Sequence, residues 1–251
     1  MSPSDKENNS DERHPSLYLP FVQEENRLSM AMENYLHSIL RLQERGVRVT
    51  VANLSEHFKD LPISEGLGTS IPSVSAMIRR LSREKLVQTN PDKEIDFTNL
   101  GLQLANGIVR RHRLAERLLV DVLGVDLQYA YSEAHRLEHA ISPYLEHRVV
   151  EILKHPTTCP FGHPIPGSNY VSKKDTVTLD QVEVNKKYFV DKIPENITAL
   201  LEYFVENKFL PGSEIYIKDF SDSRGVITIS LGDNEVFFSM EVAQLIWVYP
   251  N

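Results

Sequence analysis

Residues 70–97 read SIPSVSAMIRRLSREKLVQTNPDKEIDF, and this stretch decides the fold of the region around it. Its first half begins with Ser70 and a nearby proline, which is helix-start chemistry, and continues as an apolar stripe at helical spacing. The stripe consists of Val74, Ile78 and Leu81. Its second half contains two short β-type runs around the turn Asn90-Pro91-Asp92. The stretch therefore predicts a recognition helix followed by a wing.

Two more helices are predicted before this stretch. One begins at Met30 and ends at Gly46, and a second spans residues 51–58, followed by a Pro/Gly-containing connection. Three helices and a hairpin make a winged helix-turn-helix domain, which we place at residues 27–97. Residues 1–26 are polar and acidic and are predicted to be a disordered tail.

Residues 98–167 are predicted to be helical. One helix runs from Thr98 to Leu123, a second from Ser132 to Ile141, and a third begins at Ser142-Pro143. The predicted buried face of the third helix consists of Leu145, Val149, Ile152 and Leu153. The three helices carry more apolar surface than one small bundle needs, which favours a homodimer interface over intramolecular packing.

Residues 168–251 change to short β-type runs. Four runs are separated by turn signals, with one helix at residues 196–208, which predicts a small, partly open β-barrel. The four runs are residues 188–190, 214–220, 226–231 and 236–238. The fold class is therefore mainly α with a small β domain.

Composition limits where the chain acts and what it contacts. Its 251 residues carry a net charge of −8, but the recognition helix is locally basic, with Arg79, Arg80 and Arg83 suited to phosphate contacts. No run approaches the roughly 18 apolar residues of a membrane span, which predicts a cytoplasmic protein with no membrane partner. The single cysteine, Cys159, leaves imidazole and carboxylate as the main metal ligands.

Three predicted helices carry pairs of metal-ligating side chains at helical spacing. Each group projects from one face of its helix, because residues three and four apart lie side by side. The groups are His135, Glu138 and His139; His112 and Glu116; and Asn34 and His37. A single pair of this kind is usually surface decoration, but three together predict a shared site for a divalent cation.

These segments also carry a family resemblance. RRHRLAERLLVDVLGVD (110–126), SEAHRLEH (132–139) and CPFGHPIPG (159–167) resemble the diphtheria toxin repressor (DtxR) family of iron- and manganese-dependent regulators. The winged helix also matches, and the C-terminal segments LPGSEIYI and AQLIWV are similar to that family's SH3-like, FeoA-like domain. The resemblance implies a DNA-binding, metal-binding homodimer that represses metal-uptake genes when metal is plentiful.

Position by position, the resemblance implies ligands at Asn34, His37, His112, His135, Glu138 and His139, with Glu116 nearby. No sulfur ligand remains in this set, as in the manganese branch, so Mn²⁺ or Fe²⁺ is expected, and Zn²⁺ or Co²⁺ would also fit. Since Lys187 and Val190 fall at or near the C-terminal ligand positions of the iron branch, the C-terminal domain is not expected to supply ligands.

The resemblance likewise implies which residues meet the double-stranded DNA operator. Base edges and the adjacent backbone would be met from the start of the recognition helix, and phosphates by its arginines. The implied contact residues are Ser70, Pro72, Ser73, Ser75, Ala76, Arg79, Arg80 and Arg83. Ala76 replaces a polar residue of the iron repressor, so the operator sequence does not carry over.

Other functions remain open from the residues. HRLEH (135–139) fits the H-x-x-E-H pattern of zinc metallopeptidases, in which a glutamate activates water. A zinc-responsive regulator on the same fold is a second alternative. A FeoA-like adaptor that works only by protein contact is a third, but it would leave the basic recognition helix unexplained.

Overall fold

The structure is a computed structural model that describes residues 28–61, 66–221 and 223–250. The predicted tail at residues 1–26 lies outside the described residues. The helices are α1 (Met30–Glu44), α2 (Val51–His57), α3 (Ile71–Arg83), α4 (Asn99–Arg117), α5 (Leu127–Glu138), α6 (Pro143–Ile152), α7 (Thr198–Glu206) and α8 (Met240–Ala243). The strands are β1 (Val87–Thr89), β2 (Ile95–Phe97), β3 (Val177–Thr178), β4 (Lys187–Lys192), β5 (Glu214–Ser221), β6 (Val226–Leu231), β7 (Asn234–Ser239) and β8 (Trp247–Pro250).

The first three helices and the β1–β2 hairpin form the predicted winged helix. Ser70 caps α3 by accepting a hydrogen bond from the backbone N–H of Ser73 at 3.3 Å. The stripe of Val74, Ile78 and Leu81 is buried in a core shared with α1 and α2. The backbone N–H of Ile95 donates to the carbonyl of Val49 at 2.8 Å and joins the wing to the domain. The recognition helix therefore packs by one face and leaves the other exposed.

Helix α4 is the central element of the helical region, since it packs against both α1 and α5. Thr98 caps its start, and Gly101 lies against the carbonyl of Leu86, where an added Cβ would be 1.8 Å from that oxygen. The α-helix ends at Arg117, and a π-helical turn over Leu118–Val122 completes the stretch that was predicted to reach Leu123.

Helix α5 corrects the predicted boundaries. It begins at Leu127, five residues before Ser132, and ends at Glu138, so His139 is its C-terminal cap. Ser132 does not cap a helix start: its hydroxyl donates to the carbonyl of Tyr129 at 3.0 Å, inside the helix. His139 still has helical backbone angles, and it therefore remains next to Glu138 and His135.

Helix α6 begins where the sequence predicts, with Ser142 as N-cap, but its predicted buried face is only partly buried. Val149 is buried, whereas Leu145 and Ile152 are 42% and 55% exposed in the single chain. Tyr144, in the first turn, is 77% exposed. An apolar helix face left open in this way is typical of a protein–protein interface.

The C-terminal region is a six-stranded antiparallel sheet in the order β3-β8-β4-β5-β6-β7. It is not a closed barrel, because β3 and β7 are its two edges and are not paired in the described part of the chain. Strands β3 and β8 are not among the four predicted runs, and Trp247 lies half-buried in β8. Across the described ranges, no helix is long and apolar enough to cross a membrane.

Candidate metal centre

Four buried side chains from three helices meet at one point. His37 on α1, His112 on α4, and His135 and Glu138 on α5 each offer one ligand atom, and these atoms all lie within 4.8 Å of one another. The sequence predicts all four. Helix α4, packed between α1 and α5, is what brings them together.

Glu138 is the hub of this group. One oxygen, Oε2, lies 2.5 Å from His112 Nδ1, and the other, Oε1, lies 3.5 Å from His135 Nδ1 and 3.9 Å from His37 Nδ1. The side chain is fully buried. A carboxylate in such a place needs positive charge close by, since an isolated buried charge is strongly unfavourable.

The three imidazoles differ in protonation. Burial, with His112 and Arg41 nearby, holds the pKa of His37 well below its ordinary value. Burial also lowers the pKa of His135 to about 4, although Glu138 opposes the shift. Burial acts in the same direction on His112, but the carboxylates of Glu116 and Glu138 outweigh it and raise its pKa to about 10. Without metal, the protonated imidazole of His112 is therefore the positive charge nearest to the Glu138 carboxylate.

The group fits a divalent cation. Within the part of the chain that the structure describes, three of its buried atoms have no hydrogen-bond partner: His37 Nε2, His135 Nδ1 and Glu138 Oε1. Polar atoms buried without a partner are rare and call for an explanation such as an ion. Imidazole and carboxylate together suit Mn²⁺, Fe²⁺, Co²⁺ and Zn²⁺.

Three further predicted ligands surround the four-donor group. His139 is adjacent, with Nε2 at 3.4 Å from Glu138 Oε1. Asn34 is buried on α1, one turn before His37. Glu116 lies behind His112, with Oε1 at 3.1 Å from Nε2, and it also belongs to a different group of donors.

The sequence reading missed Glu33, which supports His139. Glu33 Oε2 lies 2.6 Å from His139 Nδ1, and Oε1 accepts a hydrogen bond from Arg111 Nη2 at 3.3 Å. Arg111 in turn donates from Nε to the carbonyl of Glu138 at 3.2 Å. A carboxylate on the outer nitrogen of a ligating histidine fixes its ring orientation and tautomer. Glu33 is therefore a supporting residue of the candidate centre.

A second group of possible donors lies nearby. Glu116, Cys159 and Glu195, all buried, offer ligand atoms within 4.8 Å of one another. Glu195 follows β4, so the C-terminal region brings a carboxylate to this group. Lys187 and Val190 do not take part in it: the first pairs with Glu214 on the surface, and the second is in the apolar core.

The predicted DNA-contacting residues lie at and beyond the start of α3. Seven of them are exposed, while Ser75 is half-buried. The exposed residues are Ser70, Pro72, Ser73, Ala76, Arg79, Arg80 and Arg83. The three arginines are thus on the outer side of the helix, where phosphates could reach them.

Comparison with protein families gives three matches that together cover most of the chain. Residues 27–95 match the family described as iron dependent repressor, N-terminal DNA binding domain. Residues 98–167 match iron dependent repressor, metal binding and dimerisation domain, and residues 177–250 match the FeoA domain. The candidate metal centre draws His37 from the first of these segments and its other three donors from the second.

Individual curated proteins that are similar to this chain belong to the same group of repressors. The chain is 41% identical over 142 residues to the iron-dependent repressor IdeR of Mycobacterium tuberculosis, which is 57% of this chain and 58% of that protein. It is 39% identical over 135 residues to the diphtheria toxin repressor of Corynebacterium diphtheriae, covering 54% of this chain and 56% of that one. The match thus spans somewhat more than half the length of these curated relatives.

Solved structures match over more of the chain. A manganese-dependent transcriptional repressor in complex with manganese has 28% identity and a TM-score of 0.77, covering 88% of this chain and all of that one. The manganese regulator SloR has 26% identity and a TM-score of 0.71, covering 89% of this chain and all of that one.

Proposed function

Because the chain belongs to the iron-dependent repressor family, we propose that it is a dimeric transcription repressor that binds its DNA operator when a divalent metal fills the four-donor group. One observation carries the proposal: His37 belongs to the winged helix, whereas His112, His135 and Glu138 belong to the helical region. A ligand held by all four side chains binds the two regions to each other.

The mechanism follows from the charges around Glu138. When bound, a divalent cation would replace the proton of His112 as the positive charge beside the buried Glu138 carboxylate. His112 must give up its proton to ligate, because only neutral imidazole binds a metal. His37 and His135 are already neutral near pH 7, since burial lowers the pKa of both. The site is therefore largely prepared, and His112 is the residue whose protonation opposes binding.

Metal binding in this proposal acts on DNA affinity through α1. Fixing His37 fixes α1, whose apolar face packs in the same core as the stripe of α3. Two recognition helices of a homodimer then keep the separation that two half-sites of an operator demand. Without metal, several positions of the winged helix are populated, and the fraction competent to bind DNA falls.

Iron and manganese are the proposed metals. The relatives named above are iron-dependent or manganese-dependent repressors. The four donors contain no sulfur, and three imidazoles with one carboxylate can bind either Fe²⁺ or Mn²⁺. We therefore expect repression of uptake genes for manganese or iron when the metal is abundant.

The metallopeptidase alternative fits less well. A catalytic zinc keeps one open position for water, with three protein ligands. Here His37 and His112 add donors from two other helices to those of the HRLEH segment, and the site is buried. The family to which the chain belongs is one of transcription regulators.

The test compares His135→Ala with His155→Ala, a control that also removes one imidazole but from an exposed position. Binding of a fluorescent operator fragment is measured with and without Mn²⁺. We expect wild type and the control to gain at least tenfold in DNA affinity with Mn²⁺, and His135→Ala to gain less than twofold. A full Mn²⁺ response in His135→Ala would refute the assigned site.

A further inference from the structure

The second group of donors, Glu116, Cys159 and Glu195, already holds a cation of the protein's own. Arg41 on α1 places Nη2 at 2.5 Å from Glu195 Oε1, and both side chains are almost completely buried. The sequence gives no direct sign of this pair, because 154 positions separate its members. The pair joins the first helix of the winged helix to the C-terminal region.

The guanidinium is held from several sides. Its Nη1 donates to the hydroxyl of Tyr131 on α5 at 2.7 Å, and its central carbon lies 4.8 Å from the centre of the Tyr131 ring. The other oxygen of Glu195 faces His163, whose Nε2 lies 3.7 Å away. Arg41 therefore contacts α5 and the C-terminal region at once, with a planar group suited to a carboxylate and an aromatic face.

Charge balance in this place favours the arginine over a metal ion. Of the two carboxylates, Glu195 already has a cationic partner in Arg41, and Glu116 Oε1 lies 3.1 Å from His112 Nε2. A divalent ion bound to the three donors would lie close to the buried guanidinium, with no solvent to screen the repulsion. The residues present thus do not fit a metal as long as Arg41 remains where it is.

We propose that Arg41, and not a metal ion, is the resident cation of the Glu116, Cys159 and Glu195 group, and that it ties α1 to the C-terminal region whether or not metal is bound. Arg41 is one helical turn beyond His37. Helix α1 therefore has a permanent anchor at Arg41 and a metal-dependent anchor at His37. The C-terminal region acts as a brace for the winged helix rather than as a source of metal ligands.

Cobalt(II) absorption tests the first half of the proposal, because a thiolate bound to Co²⁺ gives an intense near-ultraviolet charge-transfer band. In wild type, one Co²⁺ per subunit should give ligand-field bands without a thiolate band. In Arg41→Gln, a second Co²⁺ should bind at least tenfold more tightly than any second ion in wild type, and the thiolate band should appear. Adding Cys159→Ser to Arg41→Gln should remove that band, and the control Arg136→Gln, at an exposed arginine of α5 that pairs with Glu133, should resemble wild type.

The outcomes separate this proposal from the proposed metal centre. A thiolate band in wild type at the first or second equivalent of Co²⁺ would overturn the role given to Arg41. This measurement uses wild type alone and does not depend on whether any variant folds. Failure of wild type to bind one Co²⁺ per subunit would instead count against the four-donor centre. A folded Arg41→Gln that still binds one Co²⁺ without a thiolate band would also overturn the proposal.

Hydrogen exchange tests the second half. In metal-free protein, Glu195→Gln should raise amide exchange in the second half of α1 at least tenfold. The control Glu183→Gln removes a carboxylate from an exposed ion pair with Lys186 in the same region. Unchanged exchange in Glu195→Gln would show that the pair does not brace α1.

Discussion

Glu33 offers the sharpest prediction, because it touches a proposed ligand without being one. Its Oε2 lies 2.6 Å from His139 Nδ1, and the side chains of both residues are about 90% buried. In that position the carboxylate keeps Nε2 of His139 turned toward Glu138. Losing an outer partner of a ligating histidine typically costs about 10- to 100-fold in metal affinity.

Two variants separate the effect on Mn²⁺ affinity of losing the whole carboxylate from the effect of losing only its charge. Glu33→Ala removes both the partner of His139 and that of Arg111, so we expect Mn²⁺ affinity to fall by about 100-fold, or roughly 2.8 kcal/mol. Glu33→Gln keeps an oxygen that can accept from His139 but loses the charge. Its loss should be about tenfold, or roughly 1.4 kcal/mol.

Titration calorimetry with Mn²⁺ measures both variants, and Glu133→Gln is the matched control. Glu133 is an exposed carboxylate on α5 that pairs only with Arg136 among the described residues, so its replacement should change the Kd less than twofold. Operator binding at saturating Mn²⁺ should be near wild type in Glu33→Gln, because the lost affinity is overcome by mass action. The reasoning fails if Glu33→Ala binds Mn²⁺ within twofold of wild type.

Three other predictions concern packing, pH and assembly. Gly101→Ala should lower the free energy of unfolding by about 3 kcal/mol, because the added Cβ would be 1.8 Å from the carbonyl oxygen of Leu86. The control Gly107→Ala in the same helix should raise it by up to about 1 kcal/mol, and urea denaturation measures both. The pKa of His57 is lowered to about 4 from 6.5, chiefly by burial, so its stabilising effect is present above pH 6.5 and is lost as the pH falls toward 4. Between pH 6.5 and 4, the free energy of unfolding should therefore fall by roughly 2–3 kcal/mol less in His57→Gln than in wild type. Equal pH profiles of the two proteins would show that His57 is not the cause of the loss. Tyr144→Glu, at a residue 77% exposed on α6, should shift sedimentation toward the monomer, and an unchanged dimer would place the interface elsewhere.

The winged helix and the metal ligands could be predicted from the sequence because their signals are local. The stripe of α3 recurs every three to four residues, and the wing is marked by a proline-containing turn. His135 and Glu138 are three residues apart, so their common face follows from helix geometry alone. Such spacing also predicts that His37 and His112 can ligate, although not that they meet.

The start of α5 and the second donor group could not be predicted in this way. Ser132 looks like a helix N-cap, but its hydroxyl can equally bond a carbonyl within a helix, and local sequence does not decide between the two. Glu195 reaches Arg41 only because the C-terminal sheet packs against the helical region, and no spacing in the sequence encodes that contact. The exposure of Leu145 and Ile152 could not be predicted either, because the periodicity of α6 does not show which apolar residues pack within the chain.

One signal for the missed residues was present in α1. Glu33, His37 and Arg41 are spaced by four residues and form a polar stripe along a helix that is otherwise mostly apolar. Each of the three reaches a different partner: His139, the four-donor group and Glu195. A polar stripe buried at that spacing costs stability unless every member is satisfied. His37 Nε2 has no hydrogen-bond partner in the described chain, so in the proposed mechanism metal binding at the middle of the stripe completes a contact surface that is already fixed at both ends.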